Sequence, residues 1–181
     1  MISQILHQLD YTGELLQYFN GSTAVDQDKY TFTATGIGTG WTAGDYVSIT
    51  GASNGATNTV IQLDTVATGM LTAEPITLGA DETTTLTLNQ EYQGAWVNVE
   101  RWAKLTGLIN TSGNCYVYID QSGATAKPTT TVDYTTTITV TGATAATWSI
   151  ETLGKWARMR IRNNGADQTI MRAYLYGRAI T

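Results

Sequence analysis

The run Trp156-Ala157-Arg158-Met159-Arg160-Ile161-Arg162 alternates arginine with small or apolar residues. In a strand, successive side chains point to opposite faces. Arg158, Arg160 and Arg162 therefore share one face, and Ala157, Met159 and Ile161 the other. Residues 169–176 repeat the pattern: Arg172, Tyr174 and Tyr176 alternate outward, followed by Arg178. Asn163-Asn164-Gly165 lies between the two runs, and together they form the clearest hairpin signal in the chain.

Working back from this pair, further strands are predicted at 83–88, 96–99, 104–110, 115–120, 135–140 and 147–151. Turn residues separate them, at Ser112-Gly113-Asn114, at Gln121-Ser122-Gly123 and at Thr141-Gly142. Eight antiparallel strands in about a hundred residues fit a jelly-roll or Greek-key sandwich, expected over 83–181. Upstream, Tyr30, Phe32 and Ala34 alternate with threonines, and strands follow at 45–50, 59–66, 70–72 and 76–78. Residues 23–82 thus read as a small β-barrel or sandwich module.

Composition agrees. There are 34 Thr and 18 Gly among 181 residues, 52 positions in all, while charged residues make up only 14%. Threonine suits a half-exposed pleated surface and glycine suits turns. The apolar share, 42%, is enough for a packed core.

Residues 1–22 differ from the rest. Ile2, Ile5, Leu6 and Leu9 fall at i, i+3, i+4 and i+7, the stripe of a short amphipathic helix. Leu15, Leu16, Tyr18 and Phe19 make a second apolar cluster. The segment packs either on the chain's own core or, as an arm, on a neighbouring subunit. Charge is also divided: residues 1–90 carry one base and nine acids, net −8, and residues 91–181 carry nine bases and six acids, net +3, together −5. Two modules with unlike surfaces are expected.

One histidine (His7) and one cysteine (Cys115) leave no structural zinc set, no internal disulfide and no His-based triad. No apolar stretch is long enough to span a membrane. The opening residues lack a signal-peptide pattern, so synthesis in a cytoplasm is expected. Gly36-Ile37-Gly38-Thr39-Gly40 lacks the Lys-Ser/Thr of a phosphate loop. Asp26-Gln27-Asp28 lacks the rest of a calcium loop. Glu91, Glu100, Asp120 and Asp133 could pair as catalytic acids only across a shared cleft. The acidic first half argues against nucleic acid as a partner. No catalytic, cofactor-binding or metal-binding residue is expected. Of the five tryptophans, Trp41 in the glycine loop is the one best placed to be exposed and to stack on a sugar. The Arg158, Arg160 and Arg162 face reads either as a protein interface, where arginine and tyrosine are enriched, or as a face neutralised by the chain's own carboxylates.

Leu86 to Trp102, with Gly94, Trp96, Val99 and Trp102, resembles the opening of a jelly-roll module of tailed-bacteriophage virion proteins. Trp156 to Asn163, then Gln168-Thr169 and Met171 to Tyr174, is similar to its close. Asp120-Gln121-Ser122-Gly123 departs from the Asp-Gly turn of that family. Gly40-Trp41 with Gly44-Asp45 and Gly51 to Asn54 is similar to a second phage-associated β domain. The resemblance implies a virion location and a non-enzymatic structural role. A capsid decoration protein bound to a major capsid protein is foremost; a tail, collar or fibre component and a carbohydrate-binding adhesion module are the alternatives. A homo-oligomer is expected, with a trimer favoured. Its contacts are expected at Ile2, Ile5, Leu6, Leu9, Leu15, Leu16, Tyr18 and Phe19, and secondarily at the arginine face.

Overall fold

A computed structural model describes residues 3–12, 16–52, 59–74, 80–142 and 144–179. Those residues contain fourteen strands and no helix. The chain divides into two compact units. One comprises residues 1–15, 93–161 and 168–181; the other comprises 16–92 and 162–167. The units do not follow the expected 1–22, 23–82 and 83–181 division. The first fifteen residues group with the C-terminal part, and 16–22 with the middle of the chain.

The unit built on 16–92 is a barrel. Its strands are β2 (Tyr18–Asp26), β3 (Thr31–Thr33), β4 (Tyr46–Thr50), β5 (Thr59–Ala67), β6 (Met70–Ala73) and β7 (Glu82–Gln93). The antiparallel order β7-β2-β3-β6-β5-β4 closes because β4 also pairs with β7, Val47 opposite Gln90 and Ile49 opposite Leu88. Closure leaves no free edge among these strands. Val25, Phe32, Val47, Ile49, Ile61, Leu63, Leu71, Leu86 and Leu88 fill the interior. The glycine loop folds onto that interior: Gly69 N donates to Ile37 O at 2.8 Å, and Ile37 joins the core. Gly38, at φ +95°, sits so close to Ala67 that a Cβ would lie 2.1 Å from its carbonyl oxygen. Only glycine fits there. The expected strand at 76–78 lies outside the described residues.

The other unit is a two-sheet sandwich. One sheet has the order β1-β14-β9-β12, from Ser3–Thr12, Ile170–Arg178, Lys104–Thr111 and Ala145–Glu151. The second contains β11 (Tyr134–Val140), β10 (Cys115–Ser122) and β13 (Trp156–Asn163), with β8 (Val97–Asn98) paired to β13. Leu105, Ile109, Cys115, Val117, Ile119, Ala157, Met159, Ile161, Met171, Ala173 and Leu175 are all fully buried. Each of the larger of these contributes about 1.5–3 kcal/mol relative to exposure.

The all-β expectation therefore holds, with a closed six-strand barrel, and two readings need correction. First, β13 and β14 form no hairpin, because β14 pairs with β1 and β9 while β13 pairs with β10 and β8. Each strand has one apolar face, and a sandwich uses two such faces by placing the strands in different sheets. Second, residues 3–12 form an edge strand rather than a helix. A bulge between Ile5 and His7 shifts the register, so Ile5 stands on the outer face while His7 and Leu9 turn inward. One extra residue in a strand mimics helical spacing.

Candidate functional site

The alternation of β13 holds as expected, but its arginines are engaged inside the chain. Asp120 on β10 has no exposed surface and receives Arg158 Nε at 2.9 Å, Arg160 Nε at 2.6 Å and Arg160 Nη2 at 3.0 Å. Thr135 Oγ1 on β11 donates to its Oδ1 at 2.9 Å. Burial alone would raise the Asp120 pKa. Hydrogen bonds and charge from Arg160, with further bonds from Arg158 and Thr135, hold it below the usual carboxylate range. The guanidinium carbons of Arg158 and Arg160 each lie 4.8 Å from a ring centroid, that of Trp96 and that of Tyr118 respectively. Arg158 Nη1 also donates to Gln93 at 3.2 Å. Arg162 donates to the buried Glu91 at 2.9 Å. Asp120 and Glu91 thus supply carboxylates to this face from within the chain. Position along β13 shows the arginines; only the paired strands show their acids.

The apolar N-terminal residues are dispersed. Leu9 and Leu16 are buried in their own units, and Phe19 packs against the barrel core. Leu6 and Tyr18 are half-buried. Ile5 is 49% exposed. Ile2 and Leu15 lie outside the described residues. Among the described residues these positions do not share one exposed face. Trp41 is only 6% exposed, within the barrel core, so the expected sugar platform is absent there. His7 is buried. Desolvation lowers its pKa, partly offset by a backbone hydrogen bond with Ala95. Cys115 is buried, and desolvation pushes its thiol up to about 11. No cluster of three His, Cys, Asp or Glu able to hold a metal occurs among the described residues.

The β1-β14-β9-β12 sheet carries a further set of outward residues. Register places Ile5, Tyr176, Thr106 and Ser149 in one row across β1, β14, β9 and β12. The next row holds Gln8, Tyr174, Leu108 and Thr147. Tyr174 and Tyr176 stack at 6.1 Å between centroids and 21° between planes. Arg172 and Arg178 stand exposed on the same face, as does Ile170, which is 43% exposed. Lys104 is paired with Glu151 at 3.2 Å. A depression of about 460 Å³ opens beside Tyr176, lined by Thr106, Leu108, Thr147, Ser149 and Arg178 among others. Tyrosine, arginine and scattered apolar groups on one flat sheet make a surface chemically suited to contact.

No family model matches the sequence, and no curated protein matches it. Among solved structures, the cryo-EM structure of Broad Bean Stain Virus is similar at 12% identity, covering 90% of this chain and 92% of that chain. The TM-score is 0.28, too low to equate the two folds.

Proposed function

We propose that this chain is a non-enzymatic structural protein of a virion, of the tailed-bacteriophage type. In this proposal it is added to a preformed shell as a decoration protein. The observation that carries the proposal is the outer face of the β1-β14-β9-β12 sheet. There Tyr174 and Tyr176 stack between exposed Arg172 and Arg178, with Ile5 and Ile170 alongside. Rigid aromatic area flanked by guanidinium groups is the composition of protein–protein contact centres. The Asp120 cluster supports the same role from within, because it ties β10, β11 and β13 together. A major capsid protein is the proposed partner; a tail or collar protein would meet the same face.

The depression beside Tyr176 favours one second reading, a sugar-binding module, because a ring can stack on tyrosine while Thr106, Thr147 and Ser149 offer hydroxyls. The test mixes the purified chain with particles lacking it and locates it by electron microscopy. A Tyr174→Ala/Tyr176→Ala double variant should no longer decorate them. Retained decoration by the variant removes this face from the proposal. Glycan-array binding without particle binding moves the chain to the second reading.

A further inference from the structure

The sandwich is open along one side. β11 pairs only with β10, and β12 only with β9, among the described residues. The two strands are consecutive, so the free edges of both sheets follow one another in the chain. Inner-face residues of the central strands, such as Val117, Ile119, Met159 and Leu175, are fully buried. On the edge strands, Thr136, Ile138, Ala146, Trp148 and Ile150 remain half-exposed. Val132 (37% exposed), Tyr134 (53%) and Leu153 (60%) are among the few large apolar side chains that stand exposed. They gather around Gln121, which accepts from Asp133 N at 3.0 Å through its backbone and from Leu153 N at 2.7 Å through its side chain.

Free edges are ordinarily protected by charge, proline or a bulge. β1 has its bulge, and β12 ends in Glu151. β11, Tyr134-Thr135-Thr136-Thr137-Ile138-Thr139-Val140, has none of these, and its register with β10 is unbroken. It is also close to its own antiparallel complement. About a two-fold axis through Thr137, Thr137 meets Thr137, Thr135 meets Thr139, Thr136 meets Ile138 and Tyr134 meets Val140. Each is a favourable cross-strand pair: threonine with threonine, or β-branched with aromatic or β-branched. No like charges face each other.

We infer that β11 is a self-association edge, at which a second copy of this chain adds its own β11 antiparallel across a two-fold axis at Thr137. Such an isologous contact joins the two β11-containing sheets and covers Tyr134 in both copies. It does not depend on what the tyrosine face of the other sheet binds.

Thr137 is exposed on the outer face, so a charged residue there leaves the monomer fold intact but sets two like charges together on the axis. Sedimentation of the full chain should give a dimer. Thr137→Lys and Thr137→Glu should each halve the mass, and an equimolar mixture of the two variants should restore it. A wild-type chain that stays monomeric overturns the inference. So does a dimer that survives Thr137→Lys, or a mixture that remains monomeric.

Discussion

Arg160 holds Asp120 through two bonds, Nε to Oδ2 at 2.6 Å and Nη2 to Oδ1 at 3.0 Å, at a carboxylate with no exposed surface. Arg158 reaches the same Oδ2 at 2.9 Å, so two guanidinium groups converge on one acid. The cluster ties β10 to β13, and Thr135 extends it to β11. Both arginines also lie over aromatic rings and keep about 15% of their side-chain surface. The arrangement is stable only with the acid present, since removing one member leaves buried charge uncompensated.

Asp120→Asn keeps the shape and removes the charge. It should destabilise the chain by about 3 kcal/mol, near the lower end for breaking a buried pair, because the arginine heads still reach water. Urea unfolding monitored by tryptophan fluorescence measures it. A change below about 0.5 kcal/mol, typical of a surface site, would contradict the structural role.

Acid should weaken the fold in two separate windows. His7 has a lowered folded pKa, so the unfolded chain binds more protons below about 6.5; stability is full above that value and is lost as pH falls through the folded value. Asp120 is also depressed, so its contribution is full above about 3.9 and lost at still lower pH. Urea midpoints at pH 7.5 and 5.0 should differ in the wild type. His7→Leu should reduce that difference, and Asp120→Asn should leave it unchanged.

Where period two was unbroken, the strands could be read from the sequence. Met159 and Ile161, and Leu175 between the outward Tyr174 and Tyr176, announce their buried faces by alternation. The alternation did not reveal which sheet each strand joins, because a turn such as Asn163-Asn164-Gly165 serves equally to return to a neighbour or to cross between layers. Ile5 and Leu9 were misread because a bulge adds a residue and turns a strand pattern into a helical one. Tyr118 and Asp120 alternate with Val117 and Ile119, so their shared face was legible. Their pairing with Arg160, forty positions from Asp120, was not, because partner choice is set by strand order rather than local spacing. Trp41 looked exposed only because its loop is glycine-rich; the same glycines let that loop close onto the barrel core.

Cys115 should be inert in the folded chain. It is fully buried and its thiol titrates near 11, so thiolate is scarce at neutral pH. A colourimetric thiol reagent at pH 8 should react only as fast as the chain opens, and at once in denaturant. Rapid labelling of the native chain would show that the β10 layer is loosely packed.

Gly107 on β9 lies directly opposite Trp148 on β12, and a Cβ at Gly107 would fall 2.0 Å from the indole ring. The ring thus covers the glycine, filling the space its missing side chain leaves and shielding the backbone between β12 and β14. Gly107→Ala cannot be relieved by a small shift, because the contact is with a rigid ring held on an antiparallel strand. The indole must leave its place, at a cost of about 1–3 kcal/mol for overpacking. Trp148→Ala should itself destabilise by loss of contact area. If the two residues act through this one contact, the Gly107→Ala cost largely vanishes once Trp148 is gone, and the double variant should be little worse than Trp148→Ala alone. Urea unfolding of the four chains gives the coupling. Additive costs would mean that the ring does not rest on Gly107 in solution.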